Sequence, residues 1–426
     1  MDSHNTLAIL VGGGPAPGIN SVISSATIRA RLEGLNVIGI QDGFQWIMQD
    51  DIHHTVPLTI EAVSRIHFMG GSEIGTSRAN PTKSPALLDN AVSALLRLNV
   101  TRVVTIGGDD TAFSAMKLRE HARGRLQVVH VPKTIDNDLD LPPHIDTFGY
   151  QTARHHGVHV VRTLMVDAET TSRWYFVIAM GRTAGHLALG ITKAAGATIA
   201  LIPEEFPRPV KLKTIVDTLA AAMLKRLAVG REDGVAVIAE GVTLDLDPND
   251  LAELADAERD AHGHIRLAEV NLGDILKAEV NKRLRTFGRQ VTIASKNIGY
   301  ELRCVEPIPF DIEYTRELGY AAAEFLISGH DGVMISVQNG VFVPVPFETM
   351  ISPETGRTRV RRVDVKSMRY WIARRYMVRL RREDLEDPHQ LSRLAATAGL
   401  SPDEFRDEFG YLADLEPMPA PLPTPA

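Results

Sequence analysis

The sequence contains very little cysteine, no long apolar run and no excess of positive charge. Its single cysteine, Cys304, excludes an intrachain disulfide and a cysteine-rich metal site. No stretch approaches the roughly 18–20 consecutive apolar residues that span a bilayer, and the apolar run near the start is too short for a signal peptide. The 46 basic and 53 acidic side chains give a net charge of −7, which disfavours a general nucleic-acid binder. These absences predict a cytoplasmic protein that binds neither membrane nor nucleic acid.

Apolar residues and glycine are plentiful instead. Five short apolar runs each lead into a glycine-rich or polar turn, at residues 7–11, 102–106, 127–131, 174–179 and 234–239. Consecutive apolar residues are typical of buried strands, and the repeated order of strand, turn and helix indicates an open parallel α/β sheet. Ligands bind at the carboxyl ends of the strands in such sheets. We therefore expect the five turns to face one cleft, or two facing clefts.

The first turn, residues 12–18, contains four glycines and precedes a helical pattern from about Asn20. Exposed backbone N–H groups and a helix N-terminus together favour phosphate. The spacing matches neither the dinucleotide fingerprint, whose third glycine is replaced by Pro17, nor a P-loop. A tight turn without a ligand is the alternative.

The second turn, residues 107–111, carries Asp109 and Asp110 after two glycines. A carboxylate at a strand end can hold Mg²⁺, which prefers oxygen ligands. Paired acids are also common as helix caps and in first helical turns. Both interpretations stay open from these residues alone.

The third turn, residues 132–138, reads Pro-Lys-Thr-Ile-Asp-Asn-Asp. It offers a cation, a hydroxyl and two carboxylates directly after an apolar strand. Phosphoryl transfer to an alcohol needs such groups, because charge on the phosphoryl must be neutralised and the hydroxyl proton accepted. The alternative is a polar turn with an Asx cap.

Polar side chains also follow the remaining strands. Arg182 could reach phosphate with its guanidinium, Glu240 could accept a hydrogen bond from a sugar hydroxyl, and Tyr300 and Arg303 lie three residues apart. Each could equally be an ordinary surface group.

Two late segments differ from the rest. Residues 357–382 hold eleven Arg or Lys against one acid, Asp364. This pattern favours a solvated or subunit-facing helix, with a nucleic-acid site as the alternative. Residues 416–426 are rich in proline and predict a disordered or extended tail.

Taken together, the turns resemble the phosphofructokinase family over roughly residues 6–330. The motifs occur in the family's order: the glycine loop, GGDDT at 107–111, PKTIDND at 132–138, MGR at 180–182, EG at 240–241 and GYELR at 299–303. The resemblance implies an α/β fold of two lobes, each a mainly parallel sheet flanked by helices, with a C-terminal helical extension. It places residues 1–147 and about 302–370 in a phosphoryl-donor lobe, 148–301 in a sugar-phosphate lobe and 371–426 in the extension.

Family members transfer a phosphoryl group to the 1-hydroxyl of fructose 6-phosphate with Mg²⁺, and the matching positions imply roles here. The implied catalytic residues are Asp136 as general base, Lys133, Asp110 and Arg182. The implied donor-binding residues are Gly14, Arg78 and Thr111, and the implied Mg²⁺ ligand is Asp109, with Asp138 near the metal. The implied substrate-binding residues are Thr134, Asp136, Arg173, Met180, Gly181, Arg182, Glu240, Tyr300 and Arg303. Arg173 matches an arginine that reaches a neighbouring subunit's site, which implies a homodimer or homotetramer.

Two residues bear on the phosphoryl donor. ATP-using members commonly have glycine where this chain has Asp110, and a carboxylate there would repel the α-phosphate of ATP. Lys133 replaces another frequent glycine, and its ammonium can neutralise charge developing on pyrophosphate. Both residues resemble the pyrophosphate-dependent branch, whose reaction is reversible.

The sequence also departs from the family pattern. Pro15 stands where many relatives have Asp, Tyr300 where many have His, and Cys304-Val305 where many have two glycines. The competing interpretations are an ATP-dependent phosphofructokinase and a non-catalytic subunit that binds sugar phosphate.

Overall fold

The computed structural model describes residues 5–142, 145–250, 271–354, 356 and 358–417. The described residues form two compact units, and the chain crosses between them three times. The first unit draws on Met1–Ala153 and Tyr300–Arg361, and the second on Arg154–Gly299 and Arg362–Ala426. No helix in the described part of the chain is long and apolar enough to cross a membrane. The expected proline-rich tail lies outside the described residues from position 418 onward.

The strands and helices follow in chain order. The strands are β1 (Thr6–Val11), β2 (Asn36–Ile40), β3 (Thr55–Pro57), β4 (Val100–Gly107), β5 (Gln127–Thr134), β6 (Phe148–Gly149), β7 (Trp174–Ala179), β8 (Ile199–Leu201), β9 (Gly234–Ala239), β10 (Ile293–Ile298), β11 (Val333–Met334), β12 (Val337–Gln338), β13 (Val341–Phe342) and β14 (Val345–Pro346). The α-helices are α1 (Ile19–Leu32), α2 (Ile60–Val63), α3 (Pro85–Arg97), α4 (Asp109–Ala122), α5 (Tyr150–Thr171), α6 (His186–Ala195), α7 (Leu212–Leu227), α8 (Val242–Asp245), α9 (Leu272–Arg285), α10 (Tyr300–Arg303), α11 (Pro309–Ile327), α12 (Met368–Arg375), α13 (Arg382–Glu386), α14 (Pro388–Ala398) and α15 (Pro402–Phe409). Short 3₁₀ helices span Ile47–Gln49, Pro81–Lys83, Pro203–Glu205, Phe347–Met350 and Gly410–Leu415.

The first unit is built on a sheet in the order β14-β11-β5-β4-β1-β2-β3, with β6 pairing with β5. The central strands are parallel, and only the edge strands β3 and β14 pair antiparallel with their neighbours. Every residue of β1 is buried, which explains why its apolar residues are consecutive. Helices α1 and α11 cover one face of the sheet and α3 and α4 the other. The polar turns after β1, β4 and β5 therefore share the carboxyl edge of one parallel sheet.

The second unit is built on a smaller sheet in the order β10-β7-β9-β8, parallel throughout. Its core combines α7 and α9 with the C-terminal helices α14 and α15, through side chains such as Leu391, Leu394, Phe405 and Phe409. The predicted fold class, with two mainly parallel sheets and a C-terminal helical extension, is confirmed. The extension contributes side chains to the core of the second unit. Residues 362–370, which the resemblance places in the donor lobe, are also grouped with the second unit.

The basic segment 357–382, for which a solvated or subunit-facing helix is expected, is solvated and helical only in part among its described residues. Within the described part of this segment, Met368–Arg375 and Arg382, the first residue of α13, are α-helical, and both Arg374 and Arg379 are buried. Their guanidinium nitrogens lie 3.2 and 2.8 Å from carboxylate oxygens of Glu205. Arg374 and Arg379 are therefore not solvated, because the Glu205 carboxylate and the Ala200 carbonyl satisfy these cations. By contrast, Arg369, Arg375 and Arg382 are exposed as predicted. The subunit-facing alternative stays a prediction.

Candidate active site

The glycine-rich turn after β1 is clamped on two sides. The Gly12 N–H donates to the Ile106 carbonyl at the end of β4 (2.8 Å), and the Gly13 N–H donates to the Ser77 carbonyl (2.8 Å). The Thr76 hydroxyl donates to the Gly13 carbonyl at 2.7 Å. Arg78, which directly follows Thr76 and Ser77, is exposed. The structure therefore brings the Arg78 segment to the glycine turn from far along the chain.

Two glycines allow the first turn of α4 to pack against this loop. A Cβ on Gly12 would lie 2.5 Å from Thr111 Oγ1, and one on Gly107 would lie 2.3 Å from Thr111 Cβ. Asp109 and Asp110 are the first two residues of the same helix. Their carboxylates thus lie at a helix N-terminus beside the glycine turn, where the helix dipole favours negative charge.

Lys133 reaches the same turn from the end of β5. Its side chain is buried, and its ammonium donates to the Gly14 carbonyl. A Cβ on Gly14 would lie 2.7 Å from Nη1 of Arg303, so the guanidinium and the ammonium meet at one residue. Burial lowers the pKa of Lys133 to about 8, with the carboxylate of Asp136 opposing this shift and the Arg303 cation adding to it. Lys133 is still mainly protonated at neutral pH.

The negative charges of Asp136, Asp138 and Asp109 act on the Lys133 cation and raise its pKa against the effect of burial. The Asp136 N–H donates to Thr134 Oγ1 at 3.0 Å, which fixes the first part of the turn. Burial, and then the charges of Asp136 and Asp109, raise the pKa of Asp138. The structure therefore brings residues from the second and third predicted turns into one electrostatic site.

The donor set suits a magnesium ion. Within the described ranges, no group of three or more His, Cys, Asp or Glu side chains is arranged to hold a metal. Mg²⁺ is usually held by one or two carboxylates together with phosphate oxygens and water. Asp109, whose charge acts on both Lys133 and Asp138, provides such a carboxylate.

Four predicted residues of the second unit lie at the carboxyl edge of its sheet. Met180, Gly181 and Arg182 directly follow β7, and Glu240 directly follows β9. The Glu240 N–H donates to the carbonyl of Ala179, the last residue of β7, at 2.9 Å. A Cβ on Gly241 would lie 3.1 Å from the Gly181 carbonyl oxygen and 3.2 Å from that of Arg182. The two motifs are therefore in backbone contact, and both Arg182 and Glu240 are exposed.

Three predicted substrate residues lie away from that edge. Arg173 directly precedes β7, so within its own unit it lies at the amino end of the strand, on the order of 20 Å from Met180. Tyr300 and Arg303 belong to the first unit, where the Arg303 guanidinium lies 4.6 Å above the Tyr300 ring. Arg303 is thereby grouped with Gly14 and Lys133.

Sequence reasoning missed the residues that hold the third turn. Asn137 has a positive φ of 55°, which asparagine tolerates well, and its amide donates to Asp146 at 2.7 Å. Thr147 donates through its N–H to Asn137 Oδ1 (3.0 Å) and through its hydroxyl to the Thr134 carbonyl (2.7 Å). Arg361 contacts the same turn. The Asp-Asn-Asp sequence was a usable signal for the turn, whereas nothing local marks Arg361 among the surrounding arginines.

A parallel α/β fold with glycine-rich and polar turns at its carboxyl edges is typical of proteins that bind phosphate groups, and comparison with known proteins specifies the family. Residues 6–326 match the family described as Phosphofructokinase. The chain is 52% identical over 414 residues to a pyrophosphate–fructose 6-phosphate 1-phosphotransferase of Thermotoga maritima, covering 96% of this chain and 99% of that protein. It is 48% identical over 417 residues to the Naegleria fowleri protein of the same name, covering 96% and 95%.

A solved structure supports the fold. The crystal structure of a pyrophosphate-dependent phosphofructokinase from Nitrosospira multiformis superposes with a TM-score of 0.66 at 16% identity, covering 99% of this chain and 94% of that chain. The protein described here belongs to the phosphofructokinase family.

Proposed function

We propose that the protein transfers a phosphoryl group from pyrophosphate to the 1-hydroxyl of fructose 6-phosphate, giving fructose 1,6-bisphosphate and phosphate, in either direction. The observation that carries this proposal is the buried Lys133 ammonium at Gly14, beside the first turn of α4 that carries Asp110. The relatives named above, at 52% and 48% identity, bear the name of this reaction. A cytoplasmic location stays a prediction from composition.

The donor site explains the choice of pyrophosphate. Lys133 and Arg303 place two positive charges at the glycine turn, and Arg78 follows the segment that clamps it. These charges suit pyrophosphate, a compact polyanion. Asp110 places a negative charge on the first turn of α4, where the α-phosphate of ATP would meet repulsion.

The chemical step needs one proton acceptor and a neutralised phosphoryl group. The Asp136 carboxylate takes the proton of the 1-hydroxyl while the hydroxyl oxygen bonds to the transferred phosphorus. The bridging P–O bond of pyrophosphate breaks, and its electron pair leaves with inorganic phosphate. Lys133 stabilises the charge on the donor. The Thr134 hydroxyl orients Asp136 by accepting a hydrogen bond from the Asp136 backbone N–H.

Asp109, with Asp138 nearby, would hold Mg²⁺. When bound, the ion supplies charge neutralisation on the phosphate oxygens. The raised pKa of Asp138 and the mutual repulsion of these carboxylates are consistent with a cation belonging there.

The sugar phosphate is assigned to the carboxyl edge of the second sheet. Met180, Gly181, Arg182 and Glu240 offer a guanidinium, backbone groups and a carboxylate there. Arg173 lies at the other end of β7, which fits the role in a neighbouring subunit's site that the resemblance implies, and we propose that the active form is a homodimer or homotetramer.

Parallel assays test the reaction. Fructose 1,6-bisphosphate formation is measured from fructose 6-phosphate and Mg²⁺ with either pyrophosphate or ATP. We expect turnover with pyrophosphate and little with ATP. A preference for ATP would identify an ATP-dependent enzyme, and no turnover with either donor would identify a non-catalytic subunit.

A mixing experiment tests the shared site. The variants Arg173→Ala and Asp136→Asn are each expected to be nearly inactive alone. Refolding them together should restore activity, because a mixed oligomer contains one site with both groups intact. Failure of complementation in a proven mixed oligomer would remove Arg173 from the neighbour's site.

A further inference from the structure

Arg361 forms hydrogen bonds with the turn that carries the proposed general base, Asp136. Its Nε donates to the Asn137 carbonyl at 3.1 Å and its Nη1 to the Ile145 carbonyl at 2.6 Å. Its Nη2 donates to Asn137 Oδ1. Two guanidinium nitrogens therefore bind Asn137, in the turn that contains Asp136 and Asp138, and the third binds Ile145, which follows that turn in the chain.

The backbone around Arg361 reinforces this contact. The Arg361 N–H donates to the Asp138 carbonyl at 2.7 Å. The preceding residue, Val360, forms an antiparallel bridge with Leu139. Residues 360 and 361 thus lie against residues 138 and 139 at the end of the turn.

Contacts from outside the turn fix its central residue. Asn137, between the two aspartates, has a left-handed backbone, a conformation that asparagine adopts more readily than most residues and that its hydrogen bonds hold in place here. Arg361 binds both the carbonyl and the side-chain oxygen of this residue. Arginine suits the task, because its planar fork presents several donors in fixed directions, whereas lysine has a single ammonium group.

We propose that Arg361 is a positioning residue that holds Asp136 and Asp138 in their reactive orientation. The inference deepens the proposed function and rests on the role of Asp136 in it. Arg361 acts through the turn, because its guanidinium nitrogens are directed to Asn137 and Ile145. A displaced base lowers the rate of the chemical step more than it lowers substrate affinity.

Hydrogen exchange and kinetics of three variants test the proposal. Arg361→Ala removes the guanidinium group, and Arg361→Lys keeps the positive charge. Arg359→Ala is the matched control, since Arg359 is exposed and lies two residues away. In Arg361→Ala we expect backbone amides of residues 135–139 to exchange about tenfold faster or more, with exchange in the second unit unchanged. We expect Arg359→Ala to exchange like the wild type.

The kinetic result should separate kcat from KM. We expect Arg361→Ala to lose about 100-fold in kcat, with the KM values for pyrophosphate and fructose 6-phosphate within about threefold of the wild type. Added guanidinium at about 50 mM should recover part of this loss, because it can reoccupy the vacated donor positions, and it should not help Asp136→Asn. Arg361→Lys should fall between wild type and Arg361→Ala.

Three results would overturn the proposal: wild-type kcat in Arg361→Ala, unchanged exchange of residues 135–139, or a kcat loss that guanidinium does not relieve in a folded variant. If Arg361→Ala does not fold, the same readouts apply to Arg361→Lys. A wild-type protein inactive with both donors would refute the proposed function, whereas the exchange measurement would still decide whether Arg361 holds the turn.

Discussion

His130 gives the folded protein a predictable sensitivity to acid. The side chain is fully buried on β5, with Nε2 at 3.0 Å from the Gly107 carbonyl and Nδ1 at 2.8 Å from Thr105 Oγ1. A carbonyl only accepts, so Nε2 carries the hydrogen, and Nδ1 accepts from the threonine hydroxyl. Burial lowers the pKa of His130 from 6.5 to about 3. Between about pH 6.5 and pH 3 the imidazole is therefore neutral in the folded protein and charged in the unfolded chain.

The magnitude follows from this difference. Above pH 6.5 both states bind no proton and the free energy of unfolding is unaffected. As the pH falls from 6.5 toward 3, the unfolded chain gains a proton that the folded protein does not, so stability is lost. Each unit of pH costs about 1.4 kcal/mol, which gives a loss of about 2 kcal/mol at pH 5.

Urea unfolding at pH 7.5 and pH 5.0 measures this loss in the wild type and in His130→Gln. Glutamine offers one donor and one acceptor but does not titrate. The stability difference between wild type and variant should shift by about 2 kcal/mol in favour of the variant at the lower pH. Because other titrating groups are common to both proteins, an equal difference at the two pH values would refute the reasoning.

Three further substitutions have defined outcomes. Asp110→Gly should raise ATP turnover relative to pyrophosphate turnover by about tenfold or more, since a repulsive charge is removed; an unchanged ratio in parallel assays would contradict this. Asp311→Ala should cost about 3 kcal/mol or more in urea unfolding, because the buried carboxylate accepts from the Gly149 N–H (3.0 Å) and the Thr152 N–H (2.8 Å); a loss below about 1 kcal/mol would count against it. Glu205→Ala should cost about 3–5 kcal/mol by leaving two buried arginines without their carboxylate, and adding Arg379→Met should recover part of it; no recovery in the double variant would argue against the pairing.

Much of the fold could be predicted because its central strands are buried on both faces. The runs at 7–11 and 234–239 are wholly buried in β1 and β9, so their apolar residues are consecutive. β10 could not be found this way, since Lys296 and Asn297 are exposed and break the apolar run. β11 is only two residues long and depends on pairing with β5.

Some residues of the candidate site could likewise be predicted from the sequence, and others could not. Groups that directly follow a strand, such as Asp109, Lys133 and Asp136, could be predicted from local sequence because the topology gathers strand ends. The contact of Arg303 with Gly14 and that of Arg361 with Asn137 could not. Each joins segments more than 200 residues apart in the sequence, and no local pattern distinguishes Arg361 from its basic neighbours.

The three crossings between units have a consequence for synthesis and for gene engineering. A nascent chain that has reached Ala153 lacks α11, which packs on α1, and β11, which pairs with β5. The second unit in turn waits for Phe405 and Phe409 to fill its core. Neither unit is complete until its last-made segment has left the ribosome, so a premature stop before residue 300 yields no finished unit at all. Neither unit can be excised as one continuous gene fragment, so a fusion or a circular permutation has to keep the whole chain together.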